Sequence, residues 1–228
     1  MNATTIDVWL ARLDLPAAQV SRLSNLLSQD EKARARGFVA ADGCNQFIAA
    51  RAFLRTLLGQ LLARDPASLR FRYGAFGKPA LDLRGAELDF NLSHAGTLAA
   101  VAVAERAGDV GVDVERIKRL DDLDNVIHAA FTAREATRLL AVAQPMRLAA
   151  FYRAWTRKEA VLKARGRGLS GERCGPGRDA GWMASNFEVG GEYAGAVACS
   201  GAGWVVRSRA WCWPRPAESA GQAADKIS

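Results

Sequence analysis

The spacing of apolar and polar residues along the chain predicts a protein built from both helices and strands. Some segments place an apolar side chain every three or four positions, which is typical of a helix with one buried side. Others alternate with a period of two or form a short unbroken apolar run, which is typical of strands. The predicted helices span residues 15–27, 44–62 and 147–164, and the predicted strands span 7–13, 88–93, 97–104, 110–117 and 204–207.

Two short motifs predict the starts of further helices. Ser28-Gln-Asp-Glu31 and Thr132-Ala-Arg-Glu135 are capping boxes, in which a hydroxyl and a carboxylate bind the first free amides of a helix. Beyond Ser170 the pattern weakens, because glycine, alanine, cysteine and tryptophan predominate. Residues 214–228 are predicted to form a disordered tail.

Composition narrows the class of protein. The 228 residues are 50% hydrophobic and 24% charged, which is typical of a globular protein and excludes collagen-like, coiled-coil and wholly disordered chains. The net charge is +7, but residues 1–145 carry only +1 and residues 146–228 carry +6. Because the positive charge is concentrated between Arg153 and Arg178, we expect an anionic partner to meet that stretch.

Three features predict a cytoplasmic protein that does not contact a membrane. The segment Met1–Trp9 has no basic residues before an apolar run, unlike a signal peptide. The apolar run at 95–104 is about half the length that a membrane span needs. The four cysteines contain no Cys-x-x-Cys pair, so reduced thiols are expected rather than a zinc site or a disulfide framework.

Two carboxylates share one face of the strand predicted over 110–117. Side chains alternate along a strand, so Asp113 and Glu115 point away from the apolar face, roughly 7 Å apart at the backbone. Both carboxylates would then reach a single cation. Taken alone, the pattern favours a simpler interpretation, in which the two acids face water.

A third carboxylate lies on the apolar side of the long helix. Glu159 follows Trp155 by one turn on that side, where a lone ionised carboxylate would be costly. Such a group needs a metal ion or a basic neighbour. Lys163 lies one turn further along the helix. The alternative interpretation is an exposed Glu159–Lys163 pair that only stabilises the helix.

Together the three acids indicate a site for Mg²⁺ and a phosphorylated substrate. Sites built from carboxylate oxygens suit Mg²⁺, which usually keeps several waters and shares its coordination with substrate phosphates. The chain therefore favours a metal-assisted transfer of a phosphoryl-type group. Residues available to bind the phosphates are Lys78, His94, Lys158 and Lys163.

Five motifs in this chain resemble one known family. In their order and spacing they are similar to the motifs of 4′-phosphopantetheinyl transferases of the Sfp type, over roughly residues 25–170. Each motif is weak by itself, and the five together are specific. They are Gly77-Lys-Pro79, Phe90-Asn-Leu-Ser-His94, Gly111-Val-Asp-Val-Glu115, Phe131-Thr-x-x-Glu135 and Trp155-x-x-Lys-Glu159-x-x-x-Lys163.

The resemblance implies an activity and its residues. The family transfers the phosphopantetheine arm of coenzyme A to a serine of an apo acyl or peptidyl carrier protein and releases adenosine 3′,5′-bisphosphate. The implied Mg²⁺ ligands are Asp113, Glu115 and Glu159, and the implied catalytic residues are Glu159, Lys163 and Asp113. The base would be Glu159 or a metal-bound water. The implied coenzyme A contacts are Arg34, Lys78, Asn91, Ser93, His94 and Lys163.

The resemblance also implies a fold. That fold is α+β, with two similar, pseudo-symmetric subdomains and the active site in the cleft between them. Residues 1–108 would form the N-terminal subdomain, which contacts the nucleotide of coenzyme A, and residues 109–213 would carry the metal site and the catalytic helix. A monomer is expected, and the Sfp type favours a role in secondary metabolite biosynthesis.

Two alternatives compete with this interpretation. One is a degenerate family member that binds coenzyme A without turnover. The other is a binding module that uses its basic C-terminal third on nucleic acid. Nucleic-acid surfaces interleave aromatic and basic residues, whereas the segment 153–178 offers only Trp155, on the apolar side of its helix. We therefore expect no nucleic-acid partner.

Overall fold

The computed structural model describes residues 4–83, 88–105, 108–166, 181–201 and 203–214. The strands are β1 (Thr4–Arg12), β2 (Phe71–Tyr73), β3 (Pro79–Leu81), β4 (Leu88–Ala95), β5 (Leu98–Glu105), β6 (Val110–Arg116), β7 (Trp182–Phe187), β8 (Tyr193–Ser200) and β9 (Trp204–Ala210). The helices are α1 (Ala17–Leu23), α2 (Gln29–Arg36), α3 (Ala41–Leu62), α4 (Leu123–Ala130), α5 (Ala133–Leu140) and α6 (Gln144–Ala164).

The first sheet joins strands from distant parts of the sequence, in the order β4-β5-β1-β9. β1 runs antiparallel to β5 and parallel to β9. Asp7 in β1 accepts hydrogen bonds from Arg207 and Arg209 in β9, at 2.5 and 3.0 Å. The apolar side of α3 covers one face of this sheet and forms a buried core with it through Phe53, Leu54, Leu57, Leu58, Ala99, Val101 and Val103.

The second sheet has the order β6-β8-β7 and packs between the first sheet and α6. One face meets the first sheet through residues that include Ile6, Val8, Val112 and Val197. Small residues cover the other face, where Ala196 and Ala198 contact Ala160 and Ala164 of α6. The molecule thus has α3, two sheets and α6 as successive layers, and a short hairpin of β2 and β3 lies beside them.

The structure confirms the α+β class and most of the elements that the apolar pattern predicts. The helix expected over 15–27 is shorter, because α1 ends at Leu23 and a 3-10 turn follows over Ser24–Leu26. Strands β7 and β8 were not predicted. The subdomain boundary at residue 108 stays a prediction; β9, assigned to the second subdomain, pairs with β1. The expected tail lies outside the described residues, except for Pro214.

Within the described residues, α6 and α3 are the longest helices, and no helix is both long and apolar enough to cross a membrane.

A buried charge cluster joins α2 to α3. Glu31 is 2% exposed and completes the predicted capping box, since its carboxylate accepts the Ser28 amide at 2.9 Å. It also accepts hydrogen bonds from Arg51 at 2.6 Å and from Arg55 at 2.7 Å. Burial alone would raise the pKa of the Glu31 carboxyl, but Arg51, the Ser28 amide and Arg55 outweigh it and hold the pKa below its ordinary value.

Replacement of this carboxylate should destabilise the fold. In Glu31→Gln, the Arg55 guanidinium, whose side chain is 1% exposed, loses its counter-charge. Removing one partner of a buried ion pair typically costs about 3–5 kcal/mol, and we expect a loss of that size in the free energy of unfolding. Urea denaturation at pH 7 measures it. The control is Asp14→Asn, which breaks the exposed Arg12–Asp14 pair and should cost about 1 kcal/mol or less. Equal losses in the two variants would contradict a structural role for the buried cluster.

Candidate active site

The site begins with an unusually close approach of α6 to β6. Gly111 lies where a Cβ atom would come within 2.1 Å of the Ala160 carbonyl oxygen and 2.3 Å of the Ala164 amide nitrogen. No side chain fits between these backbones, so glycine at this position lets the helix lie directly on the strand. Asp113 follows Gly111 on the same face of β6 and therefore points toward α6.

Asp113 is the centre of a small hydrogen-bond network. Its side chain is buried, and its Oδ1 accepts hydrogen bonds from Lys163 Nζ at 2.7 Å and from Ser93 Oγ at 3.1 Å. Lys163 Nζ also donates to Ser93 Oγ at 2.8 Å. The structure thus brings three predicted site residues together from β4, β6 and α6.

Glu159 and Glu115 complete the acidic group. Burial, followed by the nearby charge of Asp113, raises the pKa of Glu159 to about 7. The same two causes raise the pKa of the half-buried Glu115. Since Glu159 is 5% exposed, the prediction that it lies on the buried side of its helix is confirmed. The alternative of an exposed Glu159–Lys163 pair is wrong, because Lys163 pairs with Asp113 instead.

The carboxylates of Asp113 and Glu159 suit a divalent cation, although the described side chains do not form a complete set of metal ligands. Across the ranges that the structure describes, no three His, Cys, Asp or Glu side chains are close enough to hold a metal ion. However, Asp113 Oδ2 and Glu159 Oε1 are both buried and have no hydrogen-bond partner among the described atoms. Buried, unpaired carboxylate oxygens are costly, and a hard cation such as Mg²⁺ would satisfy them. The donor set is therefore compatible with Mg²⁺.

Lys78 connects the Gly77-Lys-Pro79 loop to the end of α6. Its ammonium donates to the Ala164 carbonyl oxygen at 2.7 Å and to Asp109 at 3.2 Å. A cation is favourable at this point, because the last carbonyl groups of a helix carry partial negative charge. Contact between Lys78 and coenzyme A stays a prediction.

Arg34 and His94 lie close enough to Lys163 for the charges of Arg34 and Lys163 to act on the His94 ring. His94 is exposed as a residue, but loss of hydration around its ring and then the charges of Lys163 and Arg34 lower its pKa. Arg34 lies on the exposed side of α2, with its guanidinium 5.3 Å from the centre of the Phe47 ring. Three of the expected phosphate-binding groups, Arg34, His94 and Lys163, thus lie near one another.

A cleft of about 250 Å³ opens beside Glu159 and Lys163 and can admit a small ligand. Phe76 lies at its edge and is 57% exposed. The lining residues are Phe76, Gly77, Lys78, Pro79, Asn91, Leu92, Glu159, Leu162, Lys163 and Gly166.

Other residues of the motifs have structural partners. Thr132 and Glu135 form the predicted capping box of α5, and Trp155 packs against Phe131 and Phe151. The sequence analysis assigned no role to Gly111. A glycine on the same strand face as two acids does indicate that another backbone packs closely there. The contacts of Asn91 and Ser93 with β6 could not be foreseen, since they depend on how the two sheets meet.

Comparison with known proteins gives two adjoining family matches. Residues 16–106 match the model of the N-terminal part of 4′-phosphopantetheinyl transferases. Residues 109–189 match the model of the 4′-phosphopantetheinyl transferase superfamily. The boundary between the matches falls between the end of β5 and the start of β6.

Individual relatives extend this similarity. The chain is 38% identical over 167 residues to the 4′-phosphopantetheinyl transferase HetI of Nostoc sp., covering 72% of this chain and 70% of that protein. It is 32% identical over 157 residues to Sfp of Bacillus subtilis, covering 63% and 67%. It is 41% identical over 112 residues to AcpT of Salmonella typhimurium, covering 49% and 56%.

The close approach at Gly111 can be tested by adding one methyl group. Gly111→Ala should force β6 and α6 apart and lower the free energy of unfolding by about 1–3 kcal/mol or more. Denaturant unfolding measures this loss. The matched control is Gly191→Ala, where the added methyl would meet no atom within 4 Å and should change stability by less than about 0.5 kcal/mol. A Gly111→Ala protein as stable as the control would show that the helix does not need this contact.

Proposed function

This chain belongs to the 4′-phosphopantetheinyl transferase superfamily, and we propose that it transfers the phosphopantetheine arm of coenzyme A to a serine of an apo acyl or peptidyl carrier protein. The observation that carries the proposal is the position of Asp113, Glu159 and Lys163. Two buried carboxylates and one ammonium lie at a junction of two sheets and a helix, beside a cleft. Such a group suits a reaction in which charge develops on a diphosphate.

The proposed reaction forms one P–O bond and breaks another. The serine oxygen of the carrier attacks the phosphorus that bears the pantetheine arm. The bond from that phosphorus to the bridging oxygen of the diphosphate breaks, and adenosine 3′,5′-bisphosphate leaves. The serine proton passes to Glu159, directly or through a water, since a carboxylate near the nucleophile can act as its general base.

We propose that Asp113 and Glu159 hold Mg²⁺ and that Glu115 joins them when its side chain turns toward the ion, since no three such groups of the described residues are close enough as they stand. Support comes from the two unpartnered carboxylate oxygens of Asp113 and Glu159 and from the raised pKa of Glu115. A bound Mg²⁺ would neutralise charge on the diphosphate oxygens. The carboxylates themselves would fix its position, because the strand and helix that carry them are packed without space for a side chain.

The cations of the site would bind the nucleotide. Lys163 has a side chain that is 31% exposed, so its ammonium can turn from Asp113 toward a diphosphate in the cleft. Arg34, Ser93 and His94 would bind the adenosine phosphate, and Ser93 also donates to Asp113 at 3.1 Å. Lys78, which lines the same cleft, is the remaining proposed contact with coenzyme A, whereas the side-chain oxygen of Asn91 is taken by the Val112 amide.

We also propose the wider setting of the reaction. The partners would be coenzyme A and a carrier protein, with no nucleic acid and no membrane. The protein would act as a monomer in the cytoplasm, on carriers of secondary metabolite biosynthesis. The positive charge of residues 146–228 supports these two partners, coenzyme A and a carrier protein, because the diphosphate of coenzyme A and an acidic carrier surface are both anionic.

The transfer assay tests the proposal directly. Purified protein, coenzyme A and Mg²⁺ should add the mass of phosphopantetheine to the serine of at least one carrier in a panel. Asp113→Ala and Glu159→Gln should each lower kcat by at least about 100-fold, because each removes a charge that the transition state needs. Mass spectrometry of the carrier and chromatography of the released bisphosphate measure both products.

The matched control is Glu192→Gln, which removes an exposed carboxylate that pairs with Arg116 at 3.7 Å. It should retain wild-type activity. Coenzyme A binding by calorimetry without transfer to any carrier would favour a degenerate binder. A salt-sensitive shift with DNA or RNA in place of transfer would favour the nucleic-acid alternative.

Metal dependence has its own test. Chelation of divalent ions should abolish transfer, and Mg²⁺ should restore it. Mg²⁺ should also raise the thermal unfolding temperature of the wild type, since a ligand at 100 times its Kd stabilises the folded state by about 2.7 kcal/mol. Asp113→Asn should lose that shift. Full transfer in the presence of chelator would refute the metal assignment.

A further inference from the structure

Strands β4 and β6 lie side by side although they belong to different sheets. Each lies at the edge of its sheet, because in the described sheets β4 has β5 as its single neighbour and β6 has β8. The two strands are in contact along their length but do not form a backbone ladder with each other. The free edge of β6 therefore carries buried amides that need other hydrogen-bond acceptors.

Two side chains of β4 supply these acceptors. Asn91 Oδ1 accepts the Val112 amide at 2.9 Å, and Ser93 Oγ accepts the Val114 amide at 3.3 Å. The donors are two residues apart in β6, as the acceptors are in β4, so the side chains take the place of a strand ladder. Asn91 and Ser93 are 4% and 5% exposed, and water does not compete strongly for either bond.

The residue between the two bound amides is Asp113. The two hydrogen bonds therefore hold the backbone on both sides of the carboxylate that Lys163 contacts at 2.7 Å. Ser93 also bonds Asp113 and Lys163 directly, so a substitution of Ser93 would change the site both directly and through the backbone of β6. The side-chain oxygen of Asn91 instead accepts the Val112 amide, so this bond acts on the carboxylates of the site through the backbone of β6.

We propose that Asn91 is a positioning residue for the transfer reaction. By holding the Val112 amide, it fixes the backbone of β6 next to Asp113 against β4. The expected effect of Asn91 on catalysis rests on the proposed function, whereas its hydrogen bond to Val112 does not. A shift of about 1 Å in a catalytic group can cost roughly 100-fold in rate, so a bond of this kind can matter without touching substrate.

A second hydrogen bond across the two sheets provides a matched control. At the turn between β4 and β5, the Thr97 amide donates to the Tyr193 hydroxyl at 3.2 Å, and the Thr97 hydroxyl lies 3.2 Å from the same oxygen. Tyr193 belongs to β8, and its hydroxyl binds the tip of the hairpin that β4 and β5 form. Tyr193→Phe thus removes a bond between the same two sheets but leaves the amides beside Asp113 untouched.

The experiment compares Asn91→Leu, which keeps similar side-chain size without an acceptor, with Tyr193→Phe. Amide hydrogen exchange by NMR should show faster exchange at Val112 in Asn91→Leu, with Val101 in β5 unchanged. Mn²⁺ affinity, measured by electron paramagnetic resonance without coenzyme A, should fall in Asn91→Leu and not in Tyr193→Phe. In the transfer assay, kcat of Asn91→Leu should fall about 10- to 100-fold, with KM for coenzyme A within about threefold of the wild type.

Each outcome decides a separate question. If Asn91→Leu and Tyr193→Phe lose kcat and Mn²⁺ affinity equally, or if Asn91→Leu keeps wild-type values, the positioning role is refuted. If Asn91→Leu does not fold, Asn91→Ala removes the same acceptor with a smaller change in packing and gives the same comparison. If the wild type transfers nothing, the proposed function fails, while amide exchange and Mn²⁺ affinity still test the role of Asn91.

Discussion

The whole site depends on how closely α6 lies on β6. At Gly111 the backbone of the helix takes the space that a side chain would fill, and the helix thereby covers Asp113. Burial of two carboxylates under a helix is unfavourable unless positive charge compensates it. Lys163 provides that charge within the chain, and its contact with Asp113 explains why an acidic centre is compatible with a stable fold.

The second constraint is that no single layer contains the site. β4 belongs to the first sheet, β6 to the second, and α6 covers the second sheet from outside. Lys78 adds another connection, since its loop precedes β4 while its ammonium binds the end of α6. The geometry of the acids is therefore a property of the packed molecule, and small displacements between layers act directly on the chemistry.

Much of the site could be predicted from the sequence, because its residues break a local pattern. Glu159 stands out as an acid on an apolar helix face, and Asp113 as an acid between two buried valines. Strand β8 could not be predicted, because its alanines and glycine have low strand propensity and are there to admit α6 and Phe187. Nor could the parallel pairing of β9 with β1, since that contact has no local signal.

The pairing of β1 with β9 has a consequence for how the chain is made. Asp7 and Arg207 are 200 residues apart, so at ordinary rates of synthesis β1 emerges roughly 10–40 s before its parallel neighbour. During that interval one edge of β1 is open to pairing with other chains. Asp7 places a negative charge on this edge, and charges on open edges discourage aggregation. The carboxylate that binds Arg207 and Arg209 in the folded protein is therefore an uncompensated charge on β1 until those residues are made.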